Sequence, residues 1–167
     1  MSEETDKRLV VVVCTGNICR SPMGEAFLRA HLEDRGVTDI QVVSAGTHAQ
    51  TGRGAMPEAR AAVEAIRGDA GAHVAGPLDI GLAQEAGLIL CAAHEHRDYI
   101  QQYWAQLDPR KVRMFNEAIE GEAPVDVEDP YGWDAGVFML AARVIDGAMG
   151  AWADKLAEGW WPESDEG

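Results

Sequence analysis

The sequence predicts an α/β fold in which short parallel strands alternate with helices. The apolar, β-branched residues 10–13 are typical of a buried strand, and a short Gly/Asn loop leads from them to Ser21 and Pro22, a favourable start for a helix. Residues 40–43 indicate a second strand, and the apolar run 88–91 indicates a central parallel strand. Strands separated by helical stretches are typical of a parallel sheet.

Apolar residues at helical spacing predict the elements between and after these strands. One apolar face should pack on the sheet after the first loop, formed by Met23, Ala26, Phe27 and Ala30. Residues 58–67 indicate a second helix, and residues 111–115 a last strand. A long amphipathic helix should close the fold, with an apolar face formed by Val137, Ala141, Val144, Ala148 and Trp152.

Length and charge restrict the class of protein. The 167 residues suit one domain over the whole chain 1–167, with a core at about 8–156, a short polar N-terminal segment and an acidic tail containing Trp160 and Trp161. A formal net charge of -14 disfavours nucleic acid and anionic membranes as partners. No membrane span or signal peptide is evident, so we expect a cytoplasmic protein, as a monomer or weak dimer.

The loop at residues 14–22 combines the groups that bind and attack an oxyanion. Backbone N–H groups at a helix start attract anions, and the planar guanidinium of Arg20 matches two phosphate oxygens. The same groups favour the thiolate of Cys14 over the thiol, and the Ser21 hydroxyl can donate to its sulfur. The pattern therefore predicts a phosphate site with a nucleophile at its base.

Residues 14–22, Cys-Thr-Gly-Asn-Ile-Cys-Arg-Ser-Pro, resemble the active-site signature of the low-molecular-weight protein tyrosine phosphatases. Residues 129–132, Asp-Pro-Tyr-Gly, are similar to the general-acid loop of that family, and the resemblance extends over about residues 8–156. It implies a flavodoxin-like, three-layer fold with a four-stranded parallel sheet and helices on both faces. It also implies hydrolysis of phosphomonoesters through a phosphocysteine, with no metal and no organic cofactor.

The resemblance assigns roles residue by residue. Cys14 would be the nucleophile, Arg20 the phosphate clamp, Ser21 the partner of the thiolate and Asp129 the general acid. The phosphate-binding loop would consist of Thr15, Gly16, Asn17, Ile18, Cys19 and Arg20. A supporting hydrogen-bond network around the strained loop would consist of Asn17, Ser44 and His73.

The walls of the pocket are expected from two segments. In the family, an aromatic residue commonly stands in the segment that corresponds to residues 48–57, but this segment has none here. This departure weakens the assignment to phosphotyrosine and favours a polar or negatively charged substrate. The expected wall residues are His48, Gln50 and Arg53 on one side and Tyr131 and Trp133 on the other.

The three cysteines are too few for a disulfide scaffold. Cys14 and Cys19 could form a reversible disulfide that protects the nucleophile, a use that the resemblance supports, or Cys19 could only pack behind the loop. Cys91 is expected in the core. Residues 94–96, His-Glu-His, are expected to begin a helix on a solvated face rather than to bind a metal, because alternate helical residues do not face one site.

Several functions remain open at this point. The partner is expected to be a phosphorylated protein, as for a protein tyrosine phosphatase, or a small phosphomonoester. An arsenate reductase of the same fold is an alternative, but such enzymes normally use a further pair of cysteines, and Cys91 has no downstream partner. A phosphate-binding module without turnover is disfavoured because nucleophile, clamp and acid are all present.

Overall fold

The computed structural model describes residues 8–164, so the polar segment 1–7 and the acidic residues at the end of the tail lie outside the described residues. Four strands form one fully parallel sheet in the order β2-β1-β3-β4. The strands are β1 (Arg8–Cys14), β2 (Ile40–Gly46), β3 (Leu88–Cys91) and β4 (Val112–Met114). The strand order is that of a doubly wound, flavodoxin-like fold, which confirms the expected fold class.

Helices connect the strands and close the fold. They are α1 (Arg20–Asp34), α2 (Pro57–Ile66), α3 (Ile80–Glu85), α4 (His94–Tyr103) and α5 (Ala135–Ala157), and short 3₁₀ turns lie at Pro109–Lys111 and Pro162–Ser164. Two helices are capped by an aspartate whose side chain accepts a hydrogen bond from a backbone N–H group of the first turn, Asp79 for α3 and Asp134 for α5. The four strands and α2 lie within three residues of the predicted ranges, whereas α3 was not predicted. Helix α1 begins at Arg20, so Ser21 lies inside its first turn instead of at the predicted N-cap.

The sheet is buried on both faces, which makes the fold three-layered. Val10, Val12 and Cys14 of β1 point into a core shared with α1, α2 and α5. Val11 and Val13 point the other way, into a smaller core beneath α3 and α4. Because both faces are covered, β1 consists of apolar residues without the polar alternation of a half-exposed strand.

The predicted apolar face of α5 is wrong over the first half of the helix. The face that packs on α1 and α2 consists of Phe138, Ala142, Ile145, Ala148, Met149, Trp152, Ala153 and Leu156. Val144 is instead 56% exposed. The helix carries apolar residues on more than one face, so its periodicity did not identify the buried one. Its length and hydropathy would also fit a membrane span, but here it is a core helix.

The two tail tryptophans pack at the edge of the sheet where the strands begin. The Trp160 ring lies 5.7 Å from that of Trp152, centroid to centroid. Trp161 lies against Gly87, just before β3, and the Arg8 guanidinium at the start of β1 lies 4.8 Å from its ring. A Cβ atom at Gly87 would be only 2.2 Å from the Trp161 ring, so this packing requires glycine.

We predict that Gly87→Ala lowers the free energy of unfolding by about 1–3 kcal/mol, because the new methyl group displaces the Trp161 ring. Urea unfolding followed by tryptophan fluorescence measures this. The matched control is Gly147→Ala, a helical position with no atoms near the added carbon, where we expect a gain of about 0.5–1 kcal/mol. If Gly87→Ala costs as much in a Trp161→Ala background as in the native chain, the contact is not responsible.

Candidate active site

The pocket that contains the predicted residues lies at the carboxyl edge of the sheet, where ligands bind in doubly wound folds. The loop from the end of β1 to the start of α1 forms its base. The pocket has a volume of about 220 Å³. It is lined by Cys14, Thr15, Gly16, Ile18, Cys19, Arg20, His48, Gln50, Asp129 and Tyr131.

The carbonyl groups of the loop are all held by hydrogen bonds. Each carbonyl from residue 14 to residue 19 accepts one bond, with donor-to-oxygen distances of 2.7 to 3.3 Å. The donors are the backbone N–H groups of Thr47, His48, Gln50, Met56 and Met23 and the Nε2 atom of His73. The backbone N–H groups of residues 15–19, in contrast, have no protein partner within the described chain, so the loop offers a group of donors to an anion.

Asn17 connects this loop to its surroundings. Its backbone is left-handed, with φ at +60°, which is uncommon for a residue other than glycine. Its Nδ2 group donates to the hydroxyls of Ser21 (2.8 Å) and Ser44 (3.0 Å), and its Oδ1 accepts the N–H of Gly76 (2.9 Å). The structure therefore brings Asn17, Ser44 and His73 together as expected.

Ser21 is the neighbour of the candidate nucleophile. Its hydroxyl oxygen lies 2.9 Å from Cys14 Sγ, and both side chains are buried. Because the same oxygen accepts the amide N–H of Asn17, its proton is free to donate to the sulfur. This arrangement stabilises a thiolate at Cys14 through one hydrogen bond.

Arg20 presents one edge of its guanidinium to the pocket. Its Nη1 donates to the carbonyl of Val127 (2.9 Å), and this bond fixes the buried side chain. Its Nε atom is buried and has no hydrogen-bond partner among residues 8–164, while Nη2 has only distant contacts, 3.5 Å to Thr15 Oγ1 and 3.6 Å to Asp129 Oδ2. The Nε and Nη2 edge is the fork that binds two oxygens of a phosphate.

Asp129 lies at the rim of the pocket, with its side chain about half exposed. Its Oδ1 accepts the backbone N–H of Tyr131 (3.1 Å), which orients the carboxyl group. The other oxygen faces Arg20 across the pocket. The structure thus places the candidate nucleophile, clamp and acid around one space, although they come from distant parts of the chain.

The other two cysteines differ from Cys14 in environment. All three are free thiols. Burial, with the nearby Asp129 carboxyl group, raises the pKa of Cys19 to about 12, so this side chain stays a neutral thiol. Burial likewise raises the pKa of Cys91, whose side chain points into the opposite core from Cys14, on the far face of the sheet. Cys91 is therefore a core residue, as predicted.

His96 is a site residue that the sequence interpretation missed. It was expected on a solvated face, but it is only 1% exposed and its Nε2 lies 2.8 Å from Thr15 Oγ1. Its Nδ1 accepts the N–H of Ala93 (3.0 Å), so the proton is on Nε2, which donates to Thr15. Its place just after β3, at the carboxyl edge of a central strand, is the signal that could have revealed it.

The structure corrects two of the expected wall residues. His48, Gln50 and Tyr131 line the pocket, but Arg53 and Trp133 do not. The Arg53 guanidinium instead bonds to the Gln50 side chain beside the pocket. Trp133 lies in a separate groove along α5, because the backbone turns after Pro130, where Trp133 N–H donates to the Pro130 carbonyl.

No group of three His, Cys, Asp or Glu side chains in the described part of the chain could hold a metal ion. His94 and His96, the pair in the His-Glu-His segment, have other partners: His94 Nδ1 lies 2.7 Å from Asp126, and His96 contacts Thr15. The reactive groups that line the pocket are the Cys14 thiol, the Arg20 guanidinium, the Asp129 carboxyl group and the loop amides.

A parallel α/β sheet with a cysteine and an arginine in one anion-binding loop is the arrangement of a cysteine-dependent phosphatase or of an arsenate reductase of the same fold. Comparison with protein families specifies the class further. Residues 9–160 match the family described as low molecular weight phosphotyrosine protein phosphatase. The chain belongs to this family, which confirms the resemblance found in the sequence.

Individual relatives differ in the substrates that their names state. The chain is 35% identical over 131 residues to a protein-arginine-phosphatase of Bacillus subtilis, and the aligned region covers 77% of this chain and 83% of the relative. It is 34% identical over 154 residues to low molecular weight protein-tyrosine phosphatase A of Mycobacterium tuberculosis, and the aligned region covers 87% of this chain and 89% of that relative. A crystal structure of a mutant of YwlE from Bacillus subtilis superposes with a TM-score of 0.82 at 29% identity, covering 90% of this chain and 99% of that one.

We predict that His96 makes stability dependent on pH. Burial, reinforced by the Arg20 charge, lowers the pKa of His96 from 6.5 to about 4. Between these values the unfolded chain binds a proton that the folded chain does not, so stability falls as pH is lowered from about 6.5 to about 4, by at most about 1.4 kcal/mol per pH unit.

The measurement is urea unfolding at pH 6.5, 5.5 and 4.5 for the native chain and for His96→Gln, which keeps a donor and an acceptor but does not titrate. Carboxyl groups contribute to both curves, so the difference between the variants isolates His96. Equal pH dependence in the two proteins would contradict the prediction.

Proposed function

We propose that this phosphatase removes phosphate from phosphotyrosine in proteins, through a phosphocysteine on Cys14. The observation that carries the proposal is the geometry of the loop, whose carbonyls all bond away from the pocket while its N–H groups and the free edge of Arg20 remain available around the Cys14 sulfur. This is a preorganised site for the charge of a transferring phosphoryl group.

In the first step, the Cys14 thiolate attacks phosphorus in line with the leaving oxygen. The Arg20 fork and the loop N–H groups hold the three equatorial oxygens, and the Ser21 proton stabilises the sulfur before attack. Asp129, at the rim on the solvent side, donates its proton to the leaving oxygen. The products of this step are a phosphocysteine and the dephosphorylated alcohol or phenol.

In the second step, the ionised Asp129 takes a proton from a water molecule, which attacks the phosphocysteine. The S–P bond breaks, inorganic phosphate leaves, and Cys14 returns to the thiolate. The hydrogen bond from Ser21 is again useful here, because it stabilises the sulfur as the leaving group. Neither step requires a metal ion or an organic cofactor.

The walls of the pocket support an aromatic substrate in part. The loop segment that follows β2 supplies His48 and Gln50 but no Phe, Tyr or Trp, whereas Tyr131 supplies an aromatic ring on the side of the acid. This ring, half exposed at the rim, can pack against a phosphotyrosine side chain. Three free cysteines fit a reducing compartment, so we propose a cytoplasmic enzyme whose partner is a phosphorylated protein.

Phosphoarginine is a second candidate substrate. It is favoured by the relative named protein-arginine-phosphatase and by the acidic Asp129 at the rim, which would attract a guanidinium leaving group. An arsenate reductase with an internal cysteine relay is disfavoured, because Cys91 faces away from Cys14 and the chain has no fourth cysteine. A small phosphomonoester remains a possible outcome of the assay below.

The test is a parallel turnover assay of reduced protein on a phosphotyrosine peptide, the matched phosphoarginine peptide, para-nitrophenyl phosphate, and a panel of sugar and alkyl phosphates, with arsenate plus thiol as a separate arm. We expect the highest kcat/KM on the phosphotyrosine peptide. Cys14→Ser should lose turnover but still bind inorganic phosphate, since the N–H groups and Arg20 are unchanged. Preference for another substrate, or turnover by Cys14→Ser, would overturn the proposal.

The role of Asp129 gives a second prediction. Asp129→Asn should lower the rate of the first step by about 10²–10⁴-fold on an alkyl-substituted phenyl phosphate, whose leaving group needs a proton, and much less on para-nitrophenyl phosphate. Single-turnover measurements of phenol release isolate the first step. Glu128→Gln, a neighbouring exposed carboxyl group, is the matched control and should leave this leaving-group dependence unchanged. Equal losses on good and poor leaving groups would exclude Asp129 as the acid.

A further inference from the structure

Exposed apolar side chains are concentrated beside the catalytic pocket. The described residues include seven large apolar side chains that are exposed, and five of them lie between residues 125 and 144. These five are Val125, Tyr131, Trp133, Leu140 and Val144. Exposed apolar residues that cluster in this way, rather than scatter singly, indicate a binding surface.

Three of these five residues, Trp133, Leu140 and Val144, line a groove along the outer face of α5. The groove, which we call the α5 groove, has a volume of about 420 Å³. It is lined by Asp126, Val127, Glu128, Trp133, Val137, Leu140, Ala141 and Val144. Leu140 is 68% exposed and Trp133 is 63% exposed, so no part of the described chain covers them.

The α5 groove and the catalytic pocket share one segment of backbone. Residues 126–128 line the groove, and Asp129, the next residue, lines the pocket. The Val127 carbonyl in this segment also holds the Arg20 guanidinium. A peptide whose phosphorylated side chain enters the pocket can therefore reach the groove within a few residues, if its backbone runs along this segment.

The charge around the groove restricts its occupant. Asp126 and Glu128 line the groove, and Arg143 adjoins it next to Val144. The sequence from residue 114 to residue 142 contains seven acidic residues and no Lys or Arg, so the surface beside the groove is mainly acidic. Such a surface attracts cations and repels anions. In a two-fold dimer through the groove, the same acidic stretch of both copies would meet, and each copy carries a formal net charge of -14.

We propose that the α5 groove binds the part of a phosphoprotein substrate that flanks the phosphorylated residue. The flanking segment supplies an apolar side chain, which packs against Trp133, Leu140 and Val144, and a basic side chain, which lies near Glu128. The proposal rests on the protein phosphatase function proposed above. It adds that the enzyme selects among phosphoproteins by apolar and basic residues next to the phosphorylated site.

The first experiment compares phosphotyrosine peptides that differ only in their flanks. One peptide has neutral polar flanks, and others carry Leu and Lys, or Leu and Glu, on the N-terminal or the C-terminal side. We expect kcat/KM about 10-fold higher for Leu and Lys on one side than for the polar peptide, because one apolar side chain is buried. The advantage over the Leu and Glu peptide should shrink as salt rises.

The second experiment changes the groove. Leu140→Ser with Val144→Ser should remove the preference for the apolar flank while kcat/KM on para-nitrophenyl phosphate stays unchanged. Val74→Ser is the matched control, because Val74 is equally exposed, at 66%, and lies outside the groove. Circular dichroism and urea unfolding check that both variants fold as the native chain does.

The outcomes separate this proposal from the catalytic one. Equal kcat/KM values for all the peptides, or a preference for the apolar flank that persists in the groove variant, would overturn the groove proposal. Neither outcome would affect the proposed phosphatase activity. Failure of the native chain to hydrolyse para-nitrophenyl phosphate would instead contradict the catalytic proposal. Sedimentation that shows a dimer in the native chain and a monomer in the groove variant would assign the groove to a second copy and overturn the proposal.

Discussion

The active site depends above all on how the side chain of Asn17 is held. A left-handed backbone at a residue with a Cβ costs free energy, and here three side-chain hydrogen bonds and one bond to the main-chain carbonyl offset that cost. The same amide orders the Ser21 hydroxyl, and Ser21 in turn contacts Cys14. One buried amide therefore determines both the curvature of the loop and the environment of the nucleophile.

The sheet supplies the rigid frame for this arrangement. The strands β1, β2 and β3 pair in parallel, so their carboxyl ends bring Cys14, Gly46 and the segment before His96 to one edge. Gly46 has a specific role there, because a Cβ atom would lie 2.4 Å from the Thr15 carbonyl oxygen. The close approach of β2 to the loop is therefore possible only with glycine at this position.

The sequence was sufficient for features that depend on local chemistry. A buried strand, a glycine-containing loop and the start of a helix are recognisable from a short stretch, and they predicted that Cys14 and Arg20 face one pocket, as they do. The sequence was insufficient where packing between distant segments decides which side chains are buried. The buried face of α5 is chosen by the helices that it meets, and the burial of His96 is decided by contact with Thr15, 81 positions away. Likewise, the turn after Pro130, which sends Trp133 away from the pocket, depends on the path of the whole segment.

The way in which the loop is anchored has a consequence for how such an enzyme can diversify. Thr47, His48, Gln50 and Met56 hold the loop carbonyls through their backbone N–H groups, and the side chains of His48 and Gln50 are left to shape the pocket. Any residue except proline could supply those N–H groups. The wall that faces the substrate can thus change its side chains while the catalytic loop keeps its shape. Specificity can drift without loss of chemistry, which fits a family whose relatives are named for different phosphorylated residues.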